Sequence, residues 1–227
     1  MRHGYSQSKL LLQMTTFCPE ANCSLCPRLA EFRAENRRQH PSFHNAPVPS
    51  FGAADARLLI LGLAPGLKGA NCTGRPFTGD FAGDLLYSTL KEFEFAVGSY
   101  DKHAEDGLQL RDCRVANAVR CVPPANKPTS LEIRTCNTFL QAELAALPQL
   151  RVVITLGRIA HDAMLMACGV KRSHYAFGHA AHHELPNGLQ LVDSYHCSRY
   201  NTNTGRLTET MFHEVFRKTQ ELLRQEG

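Results

Sequence analysis

A single α/β domain, with a central, mostly parallel four-stranded sheet and helices on both faces, is the architecture expected of this chain. Three features point to it. Short apolar runs of strand length recur along the sequence. Amphipathic stretches of helical length separate them, and that alternation implies parallel strands covered on both sides. The length, 227 residues, suits one domain with a sizeable core.

The first run, LLILGL (58–63), is continuously apolar, ends in APG and fits a strand buried on both faces. DLLYSTLKEFEF (84–95) carries Leu85, Leu86, Leu90 and Phe93 at helical spacing and fits a helix packed on it. Residues 98–113 are polar and contain glycine, as a loop would. RVANAVRCV (114–122) is the second expected strand, and three prolines make PPANKPT (123–129) a loop. Ser130 is the expected N-cap of a helix running to Leu147. RVVITLG (151–157) is the third strand, IAHDAMLMA the helix after it and LQLVDSY (189–195) the fourth strand. The loop HCSRYNTNTG (196–205) leads to a last helix whose Leu207, Met211, Phe212, Val215, Phe216, Leu222 and Leu223 form one stripe. Residues 1–50, with RLAEFRAENRRQH, are expected to form a basic helical arm packed on a main domain of residues 51–227. There is no internal repeat and no long low-complexity segment.

In such sheets pockets form at the carboxyl ends of the strands. GLAPG (62–66), the loop after Val122 and the loop after Tyr195 all follow strands, so they can meet on one rim. GRPFTGD (74–80) lies just past the first of these. Connecting loops rarely need a large aromatic, so Phe77 is expected to wall a pocket for a flat ring. Gly66, Gly74 and Gly79 would let backbone approach that ring.

The hydrophobic fraction of 43% and charged fraction of 20% are those of an ordinary globular chain. No run nears the roughly 18 apolar residues of a membrane span. The first residues, MRHGYSQSKLLLQMTTF, lack a cleavage pattern, and a cytoplasmic monomer is expected. A net charge of +4 is compatible with an acidic partner without demanding one.

Nine cysteines are many for a reducing compartment, and an odd count argues for ligation over a disulfide framework. Cys23 and Cys26 form C-x2-C, which presents two sulfurs to one centre. Cys121, at the end of the second strand, and Cys136, within a helix, can supply two more. Four thiolates suit an iron–sulfur cluster or zinc, and spacing does not separate the two. A cluster core of charge +2 would leave about −2 at the site, so the formal net charge overstates that of the loaded protein. Cys113 and Cys168 fit as small buried hydrophobes. Cys72 and Cys197 have no evident partner, and Cys18 is the rival ligand.

GLAPGLKGANCTGRPFTGD, RCVPPANKPT and SYHCSRYNTNTGRLT, in that order and with the four cysteines, resemble the uracil-DNA glycosylase superfamily, and within it family 5. The resemblance runs from Cys23 to the final helix. It implies a structural 4Fe-4S cluster on Cys23, Cys26, Cys121 and Cys136, and cleavage of the bond between deoxyribose and uracil or other deaminated or modified bases in DNA. It implies that Phe77 stacks on the extruded base, that His196 stabilises the departing anion at the base carbonyl, and that Leu63, Ala64 and Gly66 border the base. Leu63 stands where related families carry a carboxylate or amide that positions water, and Asp80 is the best remaining polar group. Asp80 would position water or steady the sugar cation, or only cap the helix that follows.

Asn117 offers a donor and an acceptor to an amide edge such as uracil's, although family 5 often has a small apolar residue there. Asn126 is a second base or water contact. Phosphate contacts are expected from Arg75, Lys127, Ser198, Arg199, Tyr200, Asn201 and Arg206, with Arg199 or Tyr200 filling the gap left by the base. Metal ligation is one reading of His179, His182 and His183 in FGHAAHH, but no carboxylate partner is evident and the resemblance implies histidines here without zinc, so they are expected to pack or to border the pocket. Two other readings compete: a non-catalytic binder of damaged DNA on the same fold, and a nucleotide-binding or redox iron–sulfur protein.

Overall fold

A computed structural model describes residues 17–225. The arm's first residues, with their short apolar cluster, and residues 226–227 lie outside the described part.

Four strands pair in parallel, β1 (Leu58–Gly62), β4 (Cys113–Asn117), β5 (Val152–Leu156) and β7 (Gln190–Ser194). A fifth, β6 (His182–Glu184), pairs antiparallel with β7, so the sheet order is β4-β1-β5-β7-β6. The four-strand expectation is corrected by this edge strand, whose polar residues carry no apolar signal. Strands β2 (Ala96–Val97) and β3 (Gln109–Leu110) make a small separate hairpin; β3 lies inside the segment expected to be loop and β2 just before it.

Alternation along the strands sorts the core into two layers. Leu58, Ile60, Val152, Ile154 and Val192 pack beneath α3 (Phe81–Glu92) and α7 (Glu209–Gln225). Leu59, Leu61, Val153 and Leu191 pack beneath α4 (Ser130–Ala145) and α5 (Arg158–Ala167). All residues of β1, β4, β5 and β7 are buried, as parallel strands covered on both faces require.

Three boundaries differ from expectation. Thr129, not Ser130, caps α4: its hydroxyl accepts from the Glu132 amide while the Glu132 carboxylate accepts from the Thr129 amide. Helix α3 starts at Phe81 because Asp80 caps it. Strand β4 ends at Asn117, so Cys121 lies beyond the strand it was expected to end. The apolar run continues because Val119 and Cys121 enter a third small core with Leu29 and Cys136, not because the strand does. The N-terminal helix α1 (Pro27–Gln39) docks there, and Arg28 forms a two-pronged contact with Glu132 at 2.8 and 2.7 Å. Among the described residues no helix is long and apolar enough to cross a membrane.

Candidate active site

A cavity of about 570 Å³ opens at the carboxyl rim of the sheet, within the size range of small-molecule sites. Strand β1 delivers Leu63, Ala64 and Gly66, β4 delivers Asn117, and β7 delivers His196 and Ser198. Phe77 and Asp80 come from the loop before α3, Asn126 from the proline loop and Arg199 from the short helix α6 (Arg199–Asn203). Every residue expected to face a base or to act on it therefore lines one space.

Phe77 and His196 are closer than a sandwich around a base would allow. Their ring centroids lie 5.9 Å apart at an interplanar angle of 27°. A ring held between two others needs roughly 7 Å, two contact distances. The two rings are thus neighbours in one wall, with no room for a third ring between them. Phe77 is 5% exposed and has a left-handed φ of 52°. Its ring lies over Gly62, where an added Cβ would fall 2.4 Å from Phe77 Cζ and 2.6 Å from Asn117 Oδ1. Gly62 is the close-approach glycine; at Gly66 an added Cβ would meet only Asp80 Oδ2, at 3.3 Å. A glycine inside the run LLILGL was the available signal.

Asp80 caps the helix that follows and also faces the cavity. Oδ1 accepts from the Gly83 amide at 3.2 Å and caps α3, while Oδ2 points toward Gly66 and Gly69 at the cavity. At Gly69 an added Cβ would sit 2.4 Å from Oδ2, so this second glycine makes room for the carboxylate. Burial raises the Asp80 pKa, and hydrogen bonds from the Gly83 and Ala82 amides oppose that rise in part.

Burial pushes His196 down to about 4, so the ring is neutral at physiological pH. Among the described residues Nδ1 is sealed without a hydrogen-bond partner, which leaves Nε2 as the useful nitrogen. Asn201 was expected to touch phosphate. Its Nδ2 instead donates to the His196 carbonyl at 2.8 Å and fixes the loop. Ser198 caps α6 by accepting from the Asn201 amide at 3.4 Å.

Arg75 is not available to DNA. It is 4% exposed, and Nη1 and Nη2 grip Asp106 at 2.8 and 2.6 Å. The guanidinium carbon sits 5.0 Å from the Phe51 ring centre and 5.5 Å from that of Tyr87. The phosphate expectation for Arg75 fails because its charge is spent inside this box. Lys127, Tyr200 and Arg206 are exposed, Tyr200 at 72%. Arg199 lies over Phe81 at 5.3 Å and Arg206 over Tyr195 at 4.7 Å, which braces both cations at the rim. Two cations had gone unremarked in the sequence: Lys68 at the cavity, and Arg158, which shares a second cleft with Arg206 and His196. A basic residue inside GLKGA was the only hint of Lys68.

The family model of the uracil DNA glycosylase superfamily matches residues 49–220. The chain belongs to this superfamily. It is 45% identical over 205 residues to a type-5 uracil-DNA glycosylase of Thermus thermophilus, covering 88% of this chain and 93% of the relative. It is 37% identical over 203 residues to a type-5 uracil-DNA glycosylase of Pyrobaculum aerophilum, covering 87% of each. A type-4 uracil-DNA glycosylase of Archaeoglobus fulgidus matches at 33% over 114 residues, 50% of this chain and 49% of the relative.

In this member of the superfamily Cys23, Cys26, Cys121 and Cys136 line one small apolar hollow with Leu29, Val119 and Phe139. Arg33 Nη1 donates to Cys121 Sγ at 3.3 Å, and the Arg120 amide donates to Cys136 Sγ at 3.4 Å. Burial, the largest influence on both, pushes Cys121 up to about 12 and Cys136 to about 11, so thiolates here need a bound cation to exist. Among the described residues no three of these sulfurs lie within 4.8 Å of one another. A single tetrahedral zinc with bonds of about 2.3 Å holds its sulfurs roughly 3.8 Å apart. Four cysteines around one hollow are a donor set that a multi-iron cluster or zinc can use. Cys18 is not among the residues of the hollow.

Proposed function

We propose that the chain is a monofunctional DNA glycosylase that hydrolyses the N-glycosidic bond of uracil, and of other deaminated bases, and leaves an abasic site. One observation carries this reading: a flat aromatic, a neutral imidazole, an amide and a carboxylate converge on a single cavity. The base is extruded from the duplex at a cost of a few kcal/mol and lies against Phe77. Asn117 reads its amide edge. The bond from C1′ to the base nitrogen breaks with the electron pair leaving on the base. Nε2–H of His196 donates to the carbonyl oxygen where that charge gathers, from a site with little solvent to reorganise. Water adds to C1′, and its proton passes to Asp80 Oδ2 or to solvent. Asn201 is a positioning residue that acts through the His196 carbonyl. Lys68, Lys127, Arg158, Arg199 and Arg206 hold phosphates, and Tyr200 enters the gap in the stack.

Cys23, Cys26, Cys121 and Cys136 would hold a 4Fe-4S cluster that fixes α1 to the body. That group, when bound, supplies charge for the thiolates and a cross-link. In this reading the chain acts on DNA as a monomer in the cytoplasm and nucleoid.

The reading is tested with duplex oligonucleotides carrying uracil, hypoxanthine, xanthine or a mismatched thymine, followed by alkali. Strand scission at uracil is expected. His196→Ala should keep DNA affinity and lose product formation by about 100-fold or more. Intact strands on every substrate with the wild-type protein would refute it.

A further inference from the structure

We propose that His161, His183 and Asp193 bind one divalent cation of the zinc class, at a site separate from the cysteines. Their ligand atoms all lie within 4.8 Å of one another. The histidines of FGHAAHH had no visible carboxylate partner in the sequence. The fold supplies one from β7 and a second imidazole from α5. His179 and His182 are engaged elsewhere, with Met211 O and Gln190 Oε1.

The hydrogen-bond pattern is unfinished without a cation. Asp193 is fully buried, and its Oδ1 accepts from Thr155 Oγ1 at 2.6 Å. Among the described residues Oδ2, sealed from solvent, has no hydrogen-bond partner. Nε2 of His161 lies 3.1 Å from the Tyr175 carbonyl, which only accepts, so that nitrogen carries the proton. Nδ1 then offers a lone pair to Asp193 Oδ1 at 2.8 Å. Two lone pairs at that distance repel unless a proton or a metal lies between them. A proton would serve Nδ1 but leave Oδ2 orphaned. His183 Nε2 stands 3.6 Å from Oδ2, beyond hydrogen-bond range, and contacts the Ala176 carbonyl at 3.1 Å. A cation among the three atoms would satisfy Nδ1 and Oδ2, and His183 Nε2 would give up its proton and its contact with the Ala176 carbonyl to ligate it.

The donor set suits zinc: two imidazoles and a carboxylate, with one position for water. A carbonyl holding the far N–H of a liganding histidine is the usual outer support of such sites. Tetrahedral bonds of about 2.1 Å separate ligands by roughly 3.3 Å, so only small shifts are required. The His183 side chain, 17% exposed, leaves an entry path. The ion would tie the edge strand β6 and helix α5 to β7, the strand that leads into His196.

The test uses the full chain with its cysteine site loaded, dialysed against a mild chelator and titrated with Zn²⁺. Zinc is counted by mass spectrometry, its ligand shell is read by X-ray absorption at the zinc edge, and melting is followed in parallel. One zinc per chain is expected, with a nitrogen and oxygen shell at about 2.0–2.1 Å and a raised melting temperature. His183→Ala changes a partly exposed residue and should still fold; its zinc affinity should fall by at least about 100-fold, more than loss of an outer support costs. Asp193→Asn should lose the ion as well. Equal zinc binding by wild type and His183→Ala, a sulfur shell near 2.3 Å, or no zinc uptake at all would each overturn the proposal and identify the cluster as a plain His161–Asp193 ion pair.

Discussion

Asp80 turns one oxygen to the α3 cap and the other to the cavity, and two substitutions can separate the cap from the catalytic role proposed for it. Asn caps helices as well as Asp does. Asp80→Asn should therefore melt near the wild type while its rate of uracil release falls. Asp80→Ala should lose the same activity and about 1 kcal/mol of stability, measured by denaturant unfolding. Gly62 gives a second expectation: in Gly62→Ala the new methyl would collide with Phe77 and Asn117. The cost should be about 1–3 kcal/mol with weakened substrate binding, because the ring that meets the base must move. His196 adds a pH dependence. Its folded pKa is about 4 against an ordinary 6.5, so between those values the unfolded chain binds a proton that the folded chain refuses. Its contribution is fully present above pH 6.5 and is lost as pH falls toward 4. Acid unfolding of wild type should be steeper across that window than that of His196→Asn.

The loop from Gly74 to Asp80 shows how an element can be legible in purpose and hidden in means. Its Phe77 was readable as a pocket wall because a large aromatic in a glycine-rich loop has few other uses. Its Arg75 was misread as a phosphate contact, since a sequence does not reveal that Asp106, far along the chain, waits for it. Arg75→Ala should cost about 3–5 kcal/mol by leaving a buried carboxylate unpaired. Its DNA affinity and salt slope should match the wild type, whereas Arg199→Ala should flatten the slope; binding isotherms across a salt series check both. The four parallel strands were plain because burial on both faces writes an unbroken apolar run. The edge strand β6 was invisible because His182, His183 and Glu184 have no such run, and β4 was overdrawn because Val119 and Cys121 are buried by a different core. Asp193 hid in LQLVDSY for the same reason: an apolar context says strand and nothing about which carboxylate it carries.

The cluster proposed on the four cysteines would join α1 to the body beside the Arg28–Glu132 contact. Replacing Cys26 by Ala should bleach the protein, lower its melting temperature and expose α1 to protease, with activity lost in step with folding. Limited proteolysis beside visible spectra checks this. Nothing in a single sequence sets the distances among four sulfurs, which is why iron and zinc were indistinguishable there. The loop that carries Phe77 is held just as firmly. Tyr87 Oη donates to the Pro76 carbonyl at 2.6 Å, Tyr100 Oη to that of Phe77 at 3.3 Å, and the Arg75–Asp106 pair locks its base. A receptacle rigid before its guest arrives adds no closing step at which guests can be sorted. Discrimination then falls to the double helix itself: uracil opposite guanine, loosely held by its neighbour, should reach the enzyme sooner than uracil opposite adenine.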